Sequence, residues 1–209
     1  MQWGQTLEFP KASSKPWIQI LHNSDNHWLM AASGYGQQEG VLIFDSLNET
    51  DTERHVLYSV AQICPDKDDK LKLAFMKVQQ QKDGFNCGLF AIANATALAF
   101  QLNPCEFLYH NSEMRSHFIT CCRNRKMLPF PAVQSRKCRN WRPSFHFRCD
   151  LYCHCKMPFS TNDIGFPERF RTIVKCKGCN NWYHPNCEQI PESVITSKRS
   201  KWRCSKCTL

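Results

Sequence analysis

Along the first half of the chain, apolar residues come in short runs set between polar turns. Residues 17–21 (WIQIL), 27–33 (HWLMAAS) and 41–47 (VLIFDSL) are each short enough to predict a strand. The first two are divided by HNSDN and the second and third by SGYGQQEG, both rich in turn formers. Residues 52–64 (TERHVLYSVAQIC) predict a helix, and 71–78 (LKLAFMKV) alternate well enough for a fourth strand. From Cys87 onward, CGLFAIANATALAFQL is apolar on nearly every face, which predicts a largely buried helix. Residues 111–126 (NSEMRSHFITCCRNRK) predict a last, amphipathic helix, so this part of the chain is expected to be α+β.

Beyond residue 127 the pattern changes. Residues 128–148 are proline-punctuated and basic, and residues 149–209 combine short strands and irregular loops with dense cysteine. Charge follows the same division. Residues 1–127 carry 12 Lys and Arg against 13 Asp and Glu, residues 128–148 carry five basic residues and no acidic one, and residues 149–209 carry ten against five. Nine of the 14 cysteines lie at or after position 138. The expected organisation is therefore a domain over 1–127, a basic linker over 128–148 and a small cysteine-rich module over 149–209.

No stretch of about 18 apolar residues predicts a membrane span, so no membrane partner is expected. The opening MQWGQTLEFPKASSK lacks the apolar core of a secretory signal. The chain is expected in a reducing, intracellular compartment, with its cysteines as thiols and metal ligands. Within the linker, SRKCRNWR (135–142) holds four of the five basic residues around Trp141. It is expected to contact nucleic-acid phosphates or to act as a nuclear address, with a solvated tether as the plain alternative.

The polar turn KDGFN leads into Cys87 and Gly88 at the mouth of the apolar helix. A thiol there feels the positive end of the helix dipole, and unpaired amide N–H groups at the same end can receive an oxyanion. A buried cysteine acting as core filler is the alternative. A thiolate nucleophile needs a base and the base an orienting acceptor. His27 at the start of one predicted strand and Asp45 at the end of the next can supply both if the strands pair.

The joint pattern, HW at 27–28, FDS at 44–46 and QQKDGFNCG at 80–88, resembles the SUMO- and ubiquitin-like-protein-specific cysteine proteases. The resemblance covers roughly residues 15–130 and implies a permuted papain-like core, with its catalytic residues in the order His, Asp, Cys. It implies Cys87 as nucleophile, His27 as general base, Asp45 as holder of the imidazole tautomer, and Gln81 as an oxyanion donor beside the Cys87 backbone N–H. It also implies Trp28 as the wall of a narrow tunnel for a diglycine tail. The implied partner is a ubiquitin-like conjugate or precursor. Asn86 stands where the family usually has an acidic residue. Only 26 residues precede His27, where larger relatives carry a second tunnel tryptophan; Trp3 and Trp17 are the tryptophans upstream.

The last module reads Cys153-x-Cys155, Cys176-x2-Cys179, His184-x2-Cys187 and Cys204-x2-Cys207. Four ligand pairs of thiolate and imidazole predict two tetrahedral zinc sites, and about 60 residues with little apolar content need such staples. Histidine as fifth ligand, Trp202 before the last pair, and the NWYH and YCHCKMPF stretches resemble a PHD finger. In that fold the pairs interleave, so Cys153, Cys155, His184 and Cys187 would share one zinc and Cys176, Cys179, Cys204 and Cys207 the other. Cys149 and His154 are read as spectators. The resemblance implies a histone-tail or other peptide partner, with cage positions at Tyr152, Phe159, Ile173 and Trp182. The basic surface, Lys177 included, is expected to disfavour a basic peptide.

Three functions follow as expectations. One is a thiol peptidase or isopeptidase targeted by its finger, working in the nucleus. The others are an impaired protease core serving a zinc-dependent binding module, and a processing protease of a mobile element.

Overall fold

A computed structural model describes residues 10–12, 15–23, 26–36, 38–47, 54–64, 69–135, 141–160, 167–197 and 200–208. The chain divides into two compact units. One comprises residues 13–52 and 72–148, and the other residues 1–12, 53–71 and 149–209.

The strand expectations hold. β1 (Trp17–His22), β2 (Trp28–Ser33), β3 (Val41–Phe44) and β4 (Lys70–Met76) form a mixed sheet in that order, extended by β7 (Pro143–Asp150). β1 and β3 flank β2 antiparallel, whereas β4 joins β3 in parallel after α1 (Arg54–Ile63). Parallel pairing requires such a crossover. α2 (Cys87–Ala99) packs on β2 and β1, and its all-round apolar character has a structural cause: it is buried from both sides. Leu98 joins the sheet residues Met30, Leu42, Phe44 and Met76, and Phe90 and Ala93 pack with Tyr109, Met114 and Phe130. Tyr109 closes β5 (Phe107–Tyr109), which pairs with β6 (Ala132–Gln134), and Met114 lies on α3 (Asn111–Arg123).

The stretch expected as a linker is largely structured. It contributes β6 and most of β7, with the Phe145 ring stacked 4.2 Å from that of Phe75. Trp141 packs against the sheet cluster, edge-on to Phe44 at 6.4 Å, so this half-buried indole has a packing role that the basic stretch around it did not suggest. Arg136, Lys137 and Arg139, the rest of that basic cluster apart from Arg142, lie outside the described residues, as does Trp3.

In the other unit, β8 (Val174–Lys175) and β9 (Trp182–Tyr183) form a small antiparallel ladder, followed by the short helices α4 (Pro185–Glu188) and α5 (Glu192–Ile195). Its core is small: Tyr183, Ile190 and the thiols of Cys176 and Cys204, ringed by Trp202 and other partly buried residues. Among the described residues, no helix is long and apolar enough to cross a membrane.

Candidate active site and metal centres

His27 immediately precedes β2 and Asp45 immediately follows β3. Extending the register Met30↔Phe44 outward places the two diagonally on one face of the ladder. His27 Nε2 lies 2.6 Å from Asp45 Oδ1, with both residues at most 5% exposed. Asp45 Oδ1 also accepts the Leu47 N–H at 2.8 Å, which fixes the carboxylate. The other ring nitrogen of His27, Nδ1, is buried without a direct hydrogen bond, and Cys87 is the thiol that acts on the ring. Burial is the largest single influence on His27 and lowers its pKa. The hydrogen bond and charge of Asp45, together with Cys87, outweigh it and raise the value to about 9.

Cys87 is the first residue of α2, and Asn86 occupies the N-cap position without a side-chain bond to the helix. The first intrahelical bond of this turn, Phe90 N–H to Asn86 O at 3.1 Å, leaves the N–H groups of Cys87, Gly88 and Leu89 at the helix mouth without an intrahelical partner. Gln81 is buried and held at both ends of its amide: Oε1 accepts from Ser46 Oγ and Nε2 donates to the Asp83 carbonyl, each at 2.6 Å. Its second amide N–H remains to donate. Trp28 is 43% exposed, and a methyl group built on Gly88 would lie 3.8 Å from its Cδ1. The indole thus stands over the turn that carries Cys87. Trp17 cannot share that task, because it pairs with Ser33 at the other end of the β1–β2 ladder, roughly 17 Å away. The ring beside Trp28 is instead that of His22, its cross-strand partner, edge-on at 4.6 Å. His22 titrates below the usual histidine range, through burial and then the charge of His27.

Several positioning residues were not singled out from the sequence. Asn23, 1% exposed, accepts the His27 N–H on its side chain at 2.8 Å and donates its own N–H to the His27 carbonyl at 2.9 Å. Within HNSDN it looks like any turn former; its place four residues before the histidine is the only hint. Asp83 accepts the N–H groups of Phe85 and Asn86 and the Asn86 side-chain amide, at 3.1, 2.9 and 2.9 Å. Arg115 Nη2 donates to the Asn86 side-chain oxygen Oδ1 at 3.1 Å. Asn86 thus serves as a polar strut in the turn leading to Cys87, with the acid three residues earlier.

One outcome isolates the role of Asp45. In Asp45→Asn, burial acts on His27 without the Asp45 counter-charge, so the ring should titrate well below the value of about 9 in the unaltered protein. Ring-proton NMR measures both midpoints, and a variant still titrating near 9 would assign the shift to another group.

The finger's ligand pairs also converge. Cys153, Cys155, His184 and Cys187 form one cluster and Cys176, Cys179, Cys204 and Cys207 another, the ligand atoms of each lying within 4.8 Å of one another. Cys149 and His154 belong to neither; His154 Nδ1 is 3.5 Å from Cys153 Sγ and 3.5 Å from Glu188 Oε1. Both clusters suit zinc. Cys176 Sγ accepts the N–H groups of Gly178 and Cys204 at 3.3 and 3.2 Å, the support a metal-bound thiolate requires. A methyl group on Gly178 would come within 2.7 Å of Cys207 Cβ, so only glycine lets these loops close on one centre. Cys153 adopts φ +64°, a left-handed conformation that turns the chain sharply between ligands. The hydrogen bond between them pushes Cys153 below the usual thiol range and Cys155 above it, a conflict of like charges that a cation relieves.

Of the aromatic positions implied for a peptide cage, Tyr152 and Trp182 line one cavity of about 860 Å³, whereas Phe159 lies behind Tyr152, edge-on at 6.0 Å. That cavity also holds the carboxylates of Asp69, Asp150 and Glu188. The finger's surface is therefore not uniformly basic at this point. Lys175, opposite Trp182 on the β8–β9 ladder, places its ammonium 5.8 Å from the indole centroid.

A mixed α+β core that gathers cysteine, histidine and aspartate, followed by two thiol-rich metal clusters, is the layout of a cysteine protease joined to a zinc finger. Family comparison makes the class specific: residues 15–119 match the Ulp1 protease family, C-terminal catalytic domain, and residues 153–207 match the PHD-finger, so the chain belongs to the Ulp1 protease family and carries a PHD finger behind the protease segment. Over 62 residues it is 40% identical to Chromatin remodeling protein EBS of Arabidopsis thaliana, a match covering 29% of this chain and 22% of that protein. The chain thus spans under a quarter of the length of that curated relative. No solved structure matches the chain significantly.

Proposed function

We propose that this protein is a cysteine peptidase or isopeptidase that removes or processes a ubiquitin-like modifier, with a PHD finger, holding two zinc ions, that directs it to chromatin. The observation that carries the reading is the 2.6 Å contact of the buried His27 and Asp45 beside Cys87. In this reading the core is a permuted papain-like domain.

His27 takes the thiol proton through Nδ1 while Asp45 holds Nε2–H. Cys87 Sγ attacks the carbonyl carbon of the terminal glycine of the diglycine, and the charge that develops on oxygen is received by the Cys87 N–H and the free amide N–H of Gln81. His27 then gives its proton to the leaving amine, which departs as the acyl thioester forms. Water, deprotonated by the same ring, attacks the thioester and regenerates the thiol. Trp28 over Gly88 limits entry to a chain without side chains at its last two residues. Tyr152 and Trp182 line one cavity together with Asp69, Asp150 and Glu188; Lys156, paired with Asp69, and Lys206 line it too, so it is the aromatic faces beside these carboxylates that suit a cationic peptide such as a histone tail. Similarity to a chromatin remodeling protein supports the same direction and a nuclear location.

The test is a panel of ubiquitin-like proteins whose C-terminal diglycine ends in an electrophile. One member should form an adduct with the full chain and none with Cys87→Ala. No adduct from any member would remove the peptidase reading and leave the finger as the functional part.

A further inference from the structure

α1 lies inside the segment matched to the protease family, yet it shares a compact unit with the finger. One path of contacts leads from it to a metal cluster. Tyr58 of α1 is 2% exposed, and its hydroxyl accepts from Arg169 Nη2 at 3.2 Å and from Gln62 Nε2 at 3.0 Å. Its ring lies 5.6 Å from that of Phe170. Phe170 in turn stands edge-on to the imidazole of His184 at 4.8 Å, and the Arg169 guanidinium lies over the Phe170 ring, 4.9 Å from its centroid. Tyr58, Gln62, Cys155 and Cys187 border a common cavity of about 450 Å³.

His184 and Cys187 belong to one metal cluster, and Phe170 meets the fully buried face of that histidine. A metal ion fixes the plane of a ligand imidazole; without it, three thiols and a ring have little to hold them in one orientation. α1 has ten residues, too few to persist in water without tertiary packing. The contacts of Tyr58 with Phe170 and Arg169 are part of that packing.

We propose that Tyr58, Arg169 and Phe170 form a metal-dependent latch: zinc held by Cys153, Cys155, His184 and Cys187 fixes Phe170, and Phe170 with Arg169 fixes α1. Metal supply would then govern the order of a helix in the protease segment, whatever that segment cleaves. Hydrogen exchange read by mass spectrometry tests it on the full chain, with and without a zinc chelator. Chelation is expected to speed exchange across 54–63 by at least about tenfold, together with the finger, while β2 and α2 keep their protection. Phe170→Ala should loosen 54–63 with zinc content unchanged, and Tyr58→Phe should do so to a smaller degree. Chelation that loosens the finger but not 54–63 would overturn the latch. So would loss of protection throughout β2 and α2, which means general unfolding, or a chain that releases no zinc on denaturation.

Discussion

Cys87→Ala should reduce cleavage of a diglycine-linked substrate to background, a loss of at least about 10³-fold, while the chain stays folded. Alanine removes only the sulfur from a buried site at the start of α2, which costs stability by about 1 kcal/mol. Asn86, Asp83 and Arg115 still hold the preceding turn, so the oxyanion donors stay in place. His27→Gln should lose activity nearly as fully, because an amide cannot accept and return the thiol proton. The pH profile of kcat/KM carries a second signature. With His27 at about 9, the protonated ring persists through neutral pH, and the basic limb should fall near pH 9. The same shift acts on stability. The folded value exceeds the unfolded 6.5, so the contribution is complete below pH 6.5 and disappears as pH rises through about 9. It amounts to at most about 3 kcal/mol. A Cys87→Ala chain that still turns over substrate would place the chemistry elsewhere.

Zinc removal should have the largest effect on folding. The finger's apolar core rests on Tyr183 and Ile190, whose burial is worth roughly 2–3 kcal/mol each. Each metal site would supply on the order of 10 kcal/mol. Chelation is therefore expected to expose Tyr183 and Trp202 to solvent and open residues 150–207 to proteolysis. Cys176→Ser should do the same for its cluster, since its sulfur receives two backbone N–H groups besides the metal. Cys149→Ser, outside both clusters, should retain two zinc ions per chain. A finger that resists protease after its zinc is stripped would contradict the staple role.

Much of this architecture is visible in local patterning. The short apolar runs become β1 to β4, and the two metal clusters hold the ligand pairs that the resemblance to a PHD finger implied. The meeting of His27 and Asp45 follows from the parity of two adjacent strands, which is why two residues 18 positions apart could be paired by inspection. What escaped is non-local. β7 carries its pairing under a cover of Arg and His side chains, and Trp141 looks like a surface aromatic until Phe44 is placed beside it. Asn23, Ser46 and Asp83 are ordinary turn residues by composition, and only burial makes them supports of the site. Asp69 reaches the finger's cavity from over 80 residues upstream of Tyr152, and no spacing rule anticipates that. The same holds for Tyr58 and Phe170, brought together across 112 positions.

The central claim is that Cys87 is the reacting atom's owner, made so by His27 and Asp45. Its most direct measurement is peptide mapping of the adduct formed with a ubiquitin-like protein bearing a C-terminal electrophile. The account predicts one adduct per chain, on Cys87, absent from Cys87→Ala and formed far more slowly in His27→Gln. An adduct on another cysteine, or equal labelling of the His27→Gln chain, would contradict it.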